Sequence, residues 1–129
     1  MNTLKLEATA ENLNEVIDFV GDFLSFGDFA PQTVSKAKIA AEEIFINICR
    51  YAYTPETGNV EIRADRQNDS VCVEFEDGGR PFNPLSDSPE KDLTKVSEGG
   101  YGIFMAQNLV SEISYQFINH KNVLKIIIK

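Results

Sequence analysis

Two short alternating runs, separated only by a polar tetrapeptide, do most to limit what this chain can become. Asn59–Asp65 reads NVEIRAD and Ser70–Glu76 reads SVCVEFE, with RQND around the junction. Apolar and polar side chains alternate and β-branched residues recur, the pattern of strands with one buried face. Strands joined by so short a turn pair antiparallel. A regular βαβ alternation, and with it a doubly wound parallel nucleotide fold, is therefore missing.

The flanking segments complete the order. Thr3–Thr9 (TLKLEAT) alternates and predicts an opening strand. ENLNEVIDFVGDFLSF predicts a helix, with Leu13, Val16, Ile17, Val20 and Leu24 on one stripe, broken by Gly27 and Pro31. PQTVSKAKIAAEEIFINICRYAY predicts a second helix that opens on Pro31 and ends near Thr54–Pro55. In it Ala37, Ala41, Ile44, Ile48 and Ala52 recur at helical spacing. A third helix follows EGGYG, with Ile103, Ala106, Leu109, Val110 and Ile113 as its apolar positions. Two last strands, about Ile113–Ile118 and Val123–Ile128, flank Asn119-His120-Lys121-Asn122. The fold class is α+β: a two-layer α/β sandwich, one mixed, mostly antiparallel sheet with helices on one face. With 129 residues, no repeat and no visible boundary, one domain over 1–129 is expected.

The formal net charge of −8 argues against direct nucleic-acid binding and against an anionic membrane surface. No run is long and apolar enough to span a bilayer, and MNTLKLEATAENL lacks a signal-peptide pattern, so a cytoplasmic protein is expected. Cys49 and Cys72 sit inside apolar runs without metal-ligand spacing, and His120 is the only histidine. Buried free thiols are expected, not a zinc site.

Chemistry concentrates in three stretches. In EEIFIN, Glu43 and Asn47 are four apart and project from the same side of a helix. A carboxylate and an amide oxygen there can act as a base and as a ligand for a hard divalent cation. Two solvated helix residues would give the same pattern. In EDGGRPFNP, Asp77 stands where a strand stops and suits a ligand amine, while Gly79 lets a flat ring approach the backbone. A glycine turn with an aspartate bonded to its own backbone reads the same way. In EGGYG, glycines free the amides at a helix start, which favour phosphate, although neither common phosphate-binding signature is present. The polar stretch Asn83–Glu98 before it is long for a plain loop.

AEEIFINICRYAY, EDGGRPFNP and EGGYGIFMAQNLVSEISY, in that order and spacing, resemble the anti-sigma-factor serine/threonine kinases of the GHKL superfamily, over essentially the whole chain. The resemblance implies the Bergerat ATP-binding fold, with ATP and Mg²⁺ as cofactors. It implies Glu43 as the general base for a serine hydroxyl and Asn47 as the magnesium ligand. Asp77 would accept from the adenine amino group, with Gly79 beside the ring. Gly100 and Gly102 would belong to the loop around the phosphates, and Asn83–Glu98 to an ATP lid. The implied partners are a sigma factor and a STAS-domain anti-sigma-factor antagonist, and relatives often form homodimers. Two positions depart from the family pattern. Tyr51 stands where many relatives have histidine. Lys125 stands near the place of a last-strand threonine that touches nucleotide. The rival reading is a non-catalytic ATP-binding partner-switching module. An isolated histidine-kinase ATPase domain is disfavoured, because no long dimerisation helix pair fits and His120 lies in a turn.

Overall fold

The computed structural model describes residues 2–53, 57–85 and 101–129. Its strands are β1 (Asn2–Glu7), β2 (Asn59–Gln67), β3 (Ser70–Asp77), β4 (Glu112–Ile118) and β5 (Lys121–Ile128). Its helices are α1 (Leu13–Phe26), α2 (Pro31–Asn47) and α3 (Tyr101–Leu109). A single 3-10 turn, Ala10–Asn12, leads into α1, and a π-helical turn, Ile48–Ala52, extends α2. The strands form one sheet in the order β1-β2-β3-β5-β4. Every pairing is antiparallel. The sequence reading allowed a mixed sheet; the long connections from β1 to β2 and from β3 onward also return the chain antiparallel.

Strand alternation assigns the two faces. Val60, Ile62 and Ala64 of β2 stand opposite Asp77, Phe75 and Val73 of β3. Asn122, Leu124 and Ile126 of β5 continue the same three rows. All nine are buried, and the apolar ones pack against Val16, Val20, Ala37, Ala41, Ile44 and Phe45 of the helices. Burying a side chain such as Phe45 or Phe75 contributes about 1.5–3 kcal/mol. α2 lies between α1 and α3, and the small Ala37, Ala40 and Ala41 on its buried side let it sit close to its neighbours.

The other sheet face carries charge. Arg63 bridges Glu61 at 2.8 Å, Glu76 at 3.2 Å and Glu74 at 3.4 Å. The Arg63 hydrogen bond holds the Glu61 carboxyl below its ordinary value. The hairpin turns use residues that tolerate positive φ: Asn68 at 59° between β2 and β3, and Asn119 and His120 at 54° and 61° between β4 and β5. Cys49 and Cys72 are free thiols, as expected, and burial pushes Cys49 up to about 11.

Candidate functional site

The polar side of α2 faces α3 and the end of β3. Asn47 is 4% exposed, and its Nδ2 has no hydrogen-bond partner among the described residues. A buried donor without a partner is costly and rare, which marks a group suited to a ligand. One turn earlier, the Glu43 carboxylate lies against Gly102 in the first turn of α3, where a Cβ would collide with Glu43 Oε2. Partial burial raises the Glu43 pKa, the neighbouring Glu42 raises it further, and Arg50 opposes both. A carboxyl raised in this way is better matched to taking up a proton near neutral pH.

The chain does not stay α-helical beyond Asn47. The π-helical turn Ile48–Ala52 was not foreseen from the sequence spacing; such turns often occur at functional sites. It presents backbone carbonyls to the EDGGRPFNP loop. Ala52 O accepts from Arg80 N at 3.1 Å, and Tyr51 O accepts from Arg80 Nε at 2.8 Å. Tyr51 stacks on Phe82, with ring centroids 5.0 Å apart. Tyr53 Oη accepts from Gly78 N at 2.7 Å and donates to Asn59 O at 2.8 Å.

Asp77, at the end of β3, is 4% exposed. Its Oδ1 accepts from Gly79 N and from Asn122 Nδ2, both at 2.9 Å. The turn-type bond to the aspartate's own loop is therefore present, on one oxygen. Burial raises the Asp77 pKa; the Asn122 and Gly79 hydrogen bonds and Lys121 pull it down. Asp77, Asn47, Asn122 and Tyr115 share one cleft, walled by apolar groups that include Ile48, Phe82, Ile103 and Leu124. The lining is largely apolar, with Asp77, Asn47 and Asn122 among its few polar groups.

The described parts of the three far-separated stretches converge, and two of the glycines make close contacts within the protein. The α-carbon of Gly79 packs on Ala52, and a Cβ there would run into the Ala52 carbonyl. Its lack of a side chain serves the joint between loop and helix. Gly102 is helical and keeps α3 against Glu43. Gly100, and Asn83–Glu98 from residue 86 onward, lie outside the described residues. Lys125 pairs across from Glu74, on the charged sheet face and away from the cleft. The residue of β5 that stands opposite Asp77 is Asn122, which the sequence reading missed. Its signal was available: in NVLKIII, Asn122 falls on the alternation of Leu124, Ile126 and Ile128, and a polar residue at an inward position calls for a partner.

The two-layer sandwich places a buried aspartate at a strand end in one cleft with an amide on the central helix. Residues 6–128 match the model of the histidine kinase-like ATPase domain, and the chain belongs to that family. Within it, the match to the GHKL anti-sigma-factor kinases holds. The serine-protein kinase RsbW of Oceanobacillus iheyensis is 25% identical over 66% of this chain and 59% of that protein. RsbW of Bacillus licheniformis is 29% identical over 64% of this chain. The chain spans 57% of the latter's length, so these relatives extend well beyond the matched part. The fold is shared with a crystal structure of RsbU and RsbW domains from Mycobacterium tuberculosis, at TM-score 0.68 and 17% identity, covering 100% of this chain and 32% of that one. It is shared too with the histidine kinase domain of a blue-light activated kinase from Erythrobacter litoralis, at TM-score 0.58 and 15% identity, over 90% of this chain and 60% of that one.

Proposed function

We propose that residues 1–129 act as a single histidine-kinase-like ATPase domain with serine/threonine protein kinase activity. In this reading it is an anti-sigma regulatory factor. It binds a sigma factor and phosphorylates a STAS-type anti-sigma-factor antagonist. The family match and the RsbW relatives support the kinase class. The observation that carries the reading is the buried Asn47 Nδ2, without a hydrogen-bond partner among the described residues, one turn from Glu43 and sharing a cleft with Asp77.

The roles follow from donor chemistry. Asp77 accepts a hydrogen bond from the exocyclic amine of adenine. Glu43 takes the proton of the incoming serine hydroxyl. Asn47 fits Mg²⁺: its amide oxygen is a hard donor, and the free Nδ2 can donate to a phosphate oxygen. Bound Mg²⁺ would supply charge neutralisation at the phosphates. Helix-start amides of α3, beside Glu43, favour the same anion.

The test is transfer of labelled phosphate from ATP to a purified STAS-type antagonist, with calorimetry of ATP binding alongside. Glu43→Gln is expected to bind ATP like the wild type and to lose transfer by about 10²-fold or more. Transfer that survives in Glu43→Gln overturns the assignment of the base. ATP binding by the wild type without transfer to any candidate antagonist favours the non-catalytic partner-switching module.

A further inference from the structure

Asn122 does more than fill a buried position. Its Nδ2 donates to Asp77 Oδ1 at 2.9 Å and to Arg80 O at 2.8 Å, with Gly79 O farther off at 3.4 Å. Its Oδ1 accepts from Phe82 N at 3.1 Å and from the Tyr115 hydroxyl. One side chain thus joins the end of β3, the middle of β4 and the start of β5 to the loop that leaves the cleft.

The consequence is geometric. Asp77 Oδ1 is occupied by two donors, and Oδ2 makes no hydrogen bond among the described residues. With Oδ1 held on both sides, the carboxylate cannot rotate freely, and Oδ2 is the oxygen left to accept. The same amide holds the loop backbone at Arg80 and Phe82. The Phe82 ring is held in turn by stacking on Tyr51. The acceptor and the apolar wall of the cleft therefore have fixed relative positions before any ligand arrives.

We propose that Asn122 is a positioning residue for base selection. It locks Asp77 so that a single acceptor oxygen faces the ligand, and the cleft selects a purine bearing an exocyclic amine at that point. This inference rests on the adenine role proposed for Asp77. Asn122 acts through Asp77 and the loop and forms no part of the phosphoryl-transfer chemistry.

The test compares the Kd of ATP with that of purine riboside triphosphate, which lacks the 6-amino group. Fluorescence or calorimetric titration of the whole chain gives the ratio. The wild type is expected to favour ATP by about tenfold or more, as for a hydrogen bond to a charged acceptor. Asn122→Asp keeps the shape and the acceptor for Phe82 N but loses both donors. Its ratio is expected to fall towards one, and transfer at saturating ATP to change less than KM. A globally weakened fold would lower both affinities together and leave the ratio unmoved. Should Asn122→Asp not fold, Tyr115→Phe serves instead: it frees one side of the Asn122 amide and is expected to lower the ratio several-fold. A wild type that discriminates, with variants that discriminate equally, overturns the role of Asn122 alone. A wild type that binds neither nucleotide overturns the adenine reading and this inference with it.

Discussion

Burial works against a charge on Asp77. It is 4% exposed, and burial is the main cause of its raised pKa. The sign of the linkage follows. A carboxyl that binds its proton more tightly when folded makes the fold more stable at low pH; stability falls as pH rises from the ordinary carboxylate value through the raised one. Asp77→Asn removes that term, yet its Oδ1 can still accept from Asn122 and Gly79. The expected result is a melting temperature a few degrees higher at pH 7, little changed near pH 4, with ATP affinity reduced at least about tenfold because an amide NH₂ would face the adenine amine. Thermal melts across that range, paired with calorimetry, check both halves. Unchanged ATP binding in the variant would sink the adenine assignment. At this scale the sequence marked Asp77 by its place at a strand end before two glycines, but left open the turn-type bond to Gly79 N, which the structure contains. It was less informative about Tyr51, whose stacking on Phe82 joins residues 31 positions apart and leaves no local mark.

Elements meet at glycines in two physically different ways. At the junction of the β3 loop with the end of α2, a Cβ on Gly79 would meet the Ala52 carbonyl, which is backbone and already bonded to Arg80 N. At the junction of α2 with α3, a Cβ on Gly102 would meet Glu43 Oε2, the far end of a flexible side chain. Gly79→Ala should therefore destabilise by roughly 1–3 kcal/mol, as overpacking against something that cannot yield. Gly102→Ala should leave stability equal or raise it by up to about 1 kcal/mol through helix propensity. It should nonetheless slow phosphoryl transfer about tenfold or more, because the carboxylate must move. Denaturant melts and transfer assays separate the two. A Gly102→Ala protein with full activity would show that the position of Glu43 against α3 is irrelevant to the chemistry. Helix α2 was legible from the spacing of Ala37, Ala41 and Ile44. Its change to a π-helical turn at Ile48 was not, since the apolar spacing of Ile48 and Ala52 continues unbroken while the backbone widens to meet Arg80.

Across the whole molecule, the order of elements could be read because each carries its own period, whereas the order of strands could not. β3 lies beside β5, with α3 and β4 between them in the chain, and only that long-range pairing brings Asn122 to Asp77. The same pairing means the cleft draws on elements from much of the chain: α2, β3, α3, β4 and β5 all line it. A ligand seated there must be lost when the domain unfolds, so its binding energy adds to global stability. With Mg²⁺ and ATP at about 100 times Kd, the increment should approach 2.7 kcal/mol. The unfolding midpoint should climb steadily with ATP while the transition stays single. Removing divalent cations with EDTA at constant ATP should return part of that increment, because Asn47 would lose the cation while Asp77 kept the base. Scanning calorimetry at several ATP concentrations, with and without EDTA, reads both effects. A midpoint indifferent to millimolar ATP would mean that no nucleotide occupies the cleft. A midpoint that climbs equally with and without EDTA would leave the base site standing and remove the cation from Asn47.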